Sequence, residues 1–308
     1  MPRLPNRPAY GIPAAMLPRA LFPFLALAAT LCQAQEETIE VRLRWEPGQF
    51  YLQESDTDTT TLLTTIGQKH DQKLRMRQTT SIKVTKNDAG EQLARVSIDS
   101  LKGELLQDGL LHPFDSAKMA DALPVLQKAV GGAAGRSFTL VYNPQGDFQD
   151  VRDISSMVSG GENPDLTSIA DAKQLATLYR RSLEMGLPKI PVRPGDKWIS
   201  DEVIPFSEAG QVQVKLKSKF EGIVDRNGRK HAQIAFEGTM ETQPDEGTKR
   251  SVKVAADSKV TGQVFFDLER QTVSLSVLLA VVNLSVDGKI LPVRQQVTTR
   301  LVAMKQAK

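Results

Sequence analysis

Val212-Gln213-Val214-Lys215-Leu216-Lys217-Ser218-Lys219-Phe220 puts Val212, Val214, Leu216 and Phe220 on one side and Gln213, Lys215, Lys217 and Lys219 on the other. A period of two residues belongs to a strand with one dry and one wet face. The pattern recurs along the chain. Ile39, Val41, Leu43 and Trp45 alternate with Glu40, Arg42 and Arg44, and Leu74, Met76, Ile82 and Val84 alternate with Lys73, Arg75, Arg77 and Lys83. Ala232-Ile234-Phe236-Met240, Val252-Val254-Ala256-Val260-Val264-Phe266, Val273-Leu275-Val277-Leu279-Val281 and Val293-Val297-Leu301 complete the set. Parity flips between Asp99 and Leu101, which predicts a β-bulge in a strand from about Leu93 to Leu106.

Asn87-Asp88-Ala89-Gly90, Asp225-Arg226-Asn227-Gly228 and Asp287-Gly288 supply the turn chemistry of hairpins. Long strands of this kind make an antiparallel sheet that is wet on one side, and its dry side needs a cover. Ser116 to Val130 reads as a helix capped by Asp115 and broken or kinked at Pro124. The stronger helix runs from Pro164 to Leu187, with Asn163 as N-cap, Gly186-Leu187-Pro188 as stop, and Leu166, Ile169, Leu175, Leu178, Tyr179 and Leu183 on one face. The expected fold is therefore α+β and β-rich. It is a long antiparallel meander, a curved sheet or half-barrel, covered by a central helical insert at about 163–187.

The chain's start carries Arg3, Arg7 and Arg19, then an apolar stretch from Leu21 to Leu31, then Cys32-Gln33-Ala34, with no acid before Glu36. That is the layout of a secretory signal peptide over residues 1–34, cut after Ala34, with Met1 or Met16 as the start. Leu31 stands where lipoprotein processing wants a small residue, which argues against acylation of Cys32. Export would be to the periplasm or beyond. Removing the segment takes three arginines and leaves 36 basic against 36 acidic residues, so the mature chain is neutral and offers nucleic acid no footprint. It also removes the single cysteine, and with it any disulfide or thiol chemistry. Roughly 270 residues remain, enough for a real core, with no further apolar run of membrane-spanning length.

Trp45-Glu46-Pro47-Gly48-Gln49-Phe50-Tyr51 and Val192-Arg193-Pro194-Gly195-Asp196-Lys197-Trp198 each open a series of strands. This reads as one domain of two similar halves, about 37–152 and 188–304, with Trp45 and Trp198 at equivalent points. The residues Pro188-x-x-Pro191-Val192-x-Pro194-Gly195-Asp196-x-Trp198 resemble the signature of a secreted bacterial family of unknown function. That resemblance implies coverage of most of the mature chain and brings no catalytic residues with it. More distantly, the meander with covering helices is similar to the half-barrels of lipoprotein carriers, a likeness of fold alone.

Signals of chemistry are sparse. His70, His112 and His231 stand singly, without the spacing of metal ligands. Met157-Val158-Ser159-Gly160-Gly161 lacks the first glycine of a nucleophile elbow, and Gly131-Gly132-Ala133-Ala134-Gly135-Arg136 lacks the Lys-Ser/Thr of a phosphate loop. No catalytic, cofactor or metal residue is assigned, and no cofactor is expected. Lys215, Lys217 and Lys219 read as a solvated basic stripe, and the two tryptophans as core. The expected function is a non-catalytic exported domain that binds an apolar small molecule or lipid-like group, or associates with the cell envelope. A structural or protein-interaction module of the envelope and a carboxylate-dependent hydrolase are the alternatives.

Overall fold

The computed structural model describes residues 38–127, 130, 133–154, 172–206, 210–243 and 252–307. Its first strand set comprises β1 (Gln49–Thr61), β2 (Gln72–Lys86), β3 (Gln92–Gln107), β4 (Leu110–Asp115), β5 (Ser137–Tyr142) and β6 (Phe148–Arg152). The single turn α1 (Pro124–Leu126) lies between β4 and β5, and α2 (Ala172–Glu184) follows β6. The second set is β7 (Lys197–Phe206), β8 (Gly210–Arg226), β9 (Arg229–Thr242), β10 (Val252–Val254), β11 (Ser258–Asp267), β12 (Thr272–Val286) and β13 (Lys289–Gln306). All belong to one curved, open, antiparallel sheet in the order β6-β5-β3-β2-β1-β13-β12-β11-β9-β8-β7, with β4 on β3 and β10 on β12. The first and last strands pair in the middle, so the sheet opens at mid-chain, between β6 and β7. α2 belongs to that interruption.

Hairpin chemistry falls where the sequence places it. Asn227-Gly228 and Asp287-Gly288 both take positive φ, the pairing that matches the twist of two-residue hairpin turns. The β3 bulge is present: Thr80 faces Ile98 and Thr79 faces Ser100, leaving Asp99 as the extra residue.

One face of the sheet, called inner here, carries three apolar clusters. The first joins Val212, Val214, Leu216, Phe220, Ile234, Val264 and Phe266 to Val41 and Val192. The second joins Tyr51, Ile82, Val96, Phe138 and Leu140 to Leu43, Trp45, Ala176 and Leu183. The third gathers Ile98, Leu101, Leu105 and Phe114 under Leu126 and Val130. The described part of the predicted central helix thus does cover the sheet. Tyr179 donates to Gln53 Oε1 at 2.7 Å, and burial pushes its hydroxyl well above the ordinary tyrosine range. Residues 155–171, which include Asn163, Pro164, Leu166 and Ile169, lie outside the described residues.

Four expectations need correction. Ser116–Val130 is not one helix: Met119–Asp121 is a 3-10 turn, and Pro124 sits at the start of α1 rather than interrupting anything. Pro124 is tolerated there because its missing N–H would have had no helical partner. Asp115 accepts from the Ala117 N–H at 2.9 Å and caps no helix. Ile39–Trp45 is not a sheet strand: apart from one bridge, Ile39 to Val192, it runs over the inner face, putting Val41 in one cluster and Leu43 and Trp45 in another.

The third correction concerns β12. A bulge at Ser274, whose hydroxyl donates to the Phe265 carbonyl at 3.0 Å, reverses its parity after Val273. Leu278, Val282 and Leu284 pack against the inner cluster, while Leu279 and Val281 are exposed on the other face. Finally, Trp45 and Trp198 are not equivalent. Measured from the Pro-Gly turns, Trp45 matches Val192, and Tyr51 matches Trp198. The two turns do make the same contacts: Gly48 N–H donates to the Val84 carbonyl at 2.9 Å and Gly195 N–H to that of Phe220 at 2.7 Å.

Candidate functional site

The reversal in β12 builds the site. On the outer face, register aligns two rows across β7, β8, β9, β11 and β12. One row runs Ile199, Lys217, Glu237, Thr261, Leu279, and the other Lys197, Lys219, Ala235, Gln263, Val277. Together they line a groove of about 930 Å³, within the size range of small-molecule sites. Its β12 end is apolar, and its β7–β8 end carries the lysines. Ile199 is 74% exposed and Leu279 48%, so the floor is apolar surface left open to solvent. Lys219 pairs with Glu221 at 2.8 Å, whereas Lys197 and Lys217 have no ion pair among the described residues.

Gly262 permits this arrangement from the other side of the sheet. A Cβ there would meet Phe236 Cζ at 2.3 Å, so the ring of Phe236 lies directly on the β11 backbone beneath the groove. Gly103 in the first strand set also lies under a ring, Phe114 Cζ at 2.9 Å from a Cβ there, but the neighbouring backbone is closer still, the Arg75 carbonyl oxygen at 2.0 Å.

A second space of about 680 Å³ lies at the opening, lined by Phe148 of β6, Trp198 to Glu202 of β7, Val41 and Leu43, and the segment after α2. Its walls are ionic. Arg180 binds Glu184 at 2.6 Å and stacks 4.5 Å from the Phe148 ring centroid, and burial holds the Glu184 carboxyl above its ordinary range.

Of the sequence-stressed residues, Lys217 and Lys219 line the groove, while Lys215 lies beyond it. Trp198 packs its ring against the first inner cluster, on the side of β7 away from the groove, and Trp45 is core of the second. His231 is a buried strand residue 3.8 Å from Asp267; that carboxylate accepts from Arg229 at 2.7 Å and from the N–H groups of Glu269 and Arg270, so it holds the β11–β12 turn. His70 and His112 do not join it, and no cluster of metal-ligating side chains occurs among the described residues. Met157 to Gly161 and Gly131-Gly132 lie outside the described residues. Val277, Leu279 and Ile199 escaped the sequence reading as site residues. The signal was present: Val277-Leu278-Leu279-Ala280-Val281-Val282 is apolar at six consecutive positions, the mark of a strand with two apolar faces.

Comparison with known proteins bears on the fold. A lipovitellin chain, from a structure concerned with lipid–protein interactions, matches with a TM-score of 0.50 at 10% identity, covering 86% of this chain. The match takes in 26% of the lipovitellin chain, so this chain spans about a quarter of that protein's length. Two MucB–MucA complex structures, one from Pseudomonas aeruginosa, align at 10% and 11% identity over 85% and 84% of this chain, and over 95% and 94% of their own. Their TM-scores of 0.14 and 0.15 carry no argument. No family model and no curated protein matches the chain. No helix among the described residues is long and apolar enough to cross a membrane.

Proposed function

We propose that this chain is an exported, non-catalytic module that binds an apolar, lipid-like ligand in the outer groove of its second strand set. One observation carries the reading: apolar side chains of β7 and β12 lie open on the face of the sheet that the sequence marks as polar. Leaving Leu279 half exposed forgoes burial worth about 1 kcal/mol, and an occupant would recover it. The inner face gives no such opening beneath α2, where Tyr179, Ala176 and Leu183 fill the space. The lipid interactions of lipovitellin agree with the reading, though shared fold does not carry function across.

Docking of a partner strand on the β7 edge is the rival reading, and exposed Ile199 and Ile190 favour it. That edge is blunted, however. Arg181 already donates to its Val203 carbonyl, and Pro205 removes a donor. Solvent extraction and mass spectrometry of the purified native protein test the proposal. Wild type is expected to carry an amphiphile that Leu279→Glu lacks. Equal lipid content in both, or none in wild type, contradicts it.

A further inference from the structure

We infer that the ligand is a single anionic amphiphile, its headgroup held by Lys197, Lys217 and Lys219 and its chain laid toward β12; this rests on the groove reading above. Lys197 and Lys219 stand directly opposite each other on β7 and β8, and like charges in that relation destabilise a sheet. Lys217 lies two residues further along the same face of β8. Three ammonium groups are thus gathered at one end of an apolar groove, at an energetic cost that an anion between them would offset.

The carboxylates of the groove do not remove this excess. Glu221 takes up Lys219, and Glu237 stands opposite Lys217 on β9 without an ion-pair contact to it. Lysine on an edge strand often serves only to block strand addition. That accounts for Lys197 but not for Lys217 and Lys219, because β8 is paired on both sides by β7 and β9.

Length fits as well. Five strands span about 19 Å at the usual spacing, which is the reach of an extended long-chain acyl group. Ala235 on β9, then Thr261, Gly262 and Gln263 on β11, line the path between the lysines and Leu279. The occupant is therefore one molecule with a carboxylate or phosphate at the β7–β8 end. A patch of anionic bilayer would need a flat or protruding face.

The test uses the full chain and two probes at submicellar concentration, hexadecanoate and its methyl ester. Hexadecanoate is expected to bind at least about tenfold more tightly, with an affinity that falls as salt rises, while the ester's does not. Lys217→Gln with Lys219→Gln is expected to bring the two probes within about threefold of each other without weakening the ester. Equal binding of both probes to wild type overturns the headgroup inference, and loss of both in Leu279→Glu then keeps the groove reading intact. If neither probe binds, or Leu279→Glu leaves both unchanged, the groove reading itself falls. Sedimentation with anionic vesicles in the absence of monomer uptake overturns the inference in favour of a membrane surface. The substituted side chains are surface groups, and circular dichroism checks that each variant is folded.

Discussion

The outer faces of the two strand sets are built on one scaffold and answer the same problem in opposite ways. In the first set, Asp56 takes Arg77 at 2.6 Å and also Arg300, while Arg75 reaches both Asp58 at 3.3 Å and Glu104 at 3.2 Å. The shallow space there, about 660 Å³, is lined by groups that neutralise one another. In the second set the groove is larger, its floor is apolar, and two of its lysines stand without ion pairs among the described residues. Underneath, the sets agree: each opens at a Pro-Gly turn with the same backbone contact, and each lays a phenylalanine on a glycine. Difference confined to one face of a shared frame points to that face as the one fitted to a purpose.

The largest effect is expected at the residues just before the turns. Trp45→Ala empties a site 2% exposed, next to Tyr51 at 5.2 Å between ring centroids, and should cost about 3–5 kcal/mol in denaturant unfolding. Val192→Ala, at the same offset in the second set, should cost about 2 kcal/mol. Equal losses would break the view that the first set is anchored by its tryptophan.

Next come the glycines. Gly262→Ala forces a methyl against Phe236 and the Val277 carbonyl and should cost about 1–3 kcal/mol; Gly103→Ala drives its methyl into the β2 backbone at Arg75 and should cost more. Adding Phe236→Leu to Gly262→Ala should regain part of the loss. If it does not, the ring is not the obstacle.

Smaller again are the outer faces. Asp56→Ala should cost less than about 1 kcal/mol, and that cost should shrink with added salt, because the pairs it breaks are solvent-exposed. Leu279→Glu should leave stability within about 0.5 kcal/mol while abolishing ligand uptake. A large stability loss there would make Leu279 core and erase the contrast.

The smallest effect concerns pH. Burial raises the Glu184 carboxyl against the pull of Arg180, so the folded chain holds that proton more readily than the unfolded one. Its contribution to stability therefore declines as pH rises from the ordinary carboxylate range through the raised value. Glu184→Gln should flatten that part of the stability–pH curve.

Strands, hairpins and the Asp99 bulge were legible because each is set by local pattern. What alternation alone did not locate was the bulge at Ser274: period two still looks intact through Val281, yet the extra residue, whose hydroxyl bonds the Phe265 carbonyl, turns Leu275, Val277, Leu279 and Val281 outward. The groove was missed for that reason, since its floor was counted as core. The segment Ile39–Trp45 misled for a related reason. Alternation requires one buried side, and a strap lying on a sheet satisfies that as well as a strand within it. Ser116–Val130 failed because its apolar residues serve an irregular cover over the third cluster, where Pro124 begins a turn.

The central claim is tested most directly by bromine quenching of a tryptophan placed in the groove. Both native tryptophans pack on the inner side, and Val277 lines the outer groove. Val277→Trp in a chain that also carries Trp45→Phe and Trp198→Phe therefore reports the outer face, while Trp45→Phe alone leaves Trp198, and Trp198→Phe alone leaves Trp45, to report the inner face. With chain-brominated hexadecanoate, saturable quenching should appear in the Val277→Trp chain, be lost from it when Leu279→Glu is added, and be weaker for Trp198. Quenching that is stronger for Trp45 or Trp198, or that survives Leu279→Glu in the Val277→Trp chain, would place the ligand on the inner side and contradict the account.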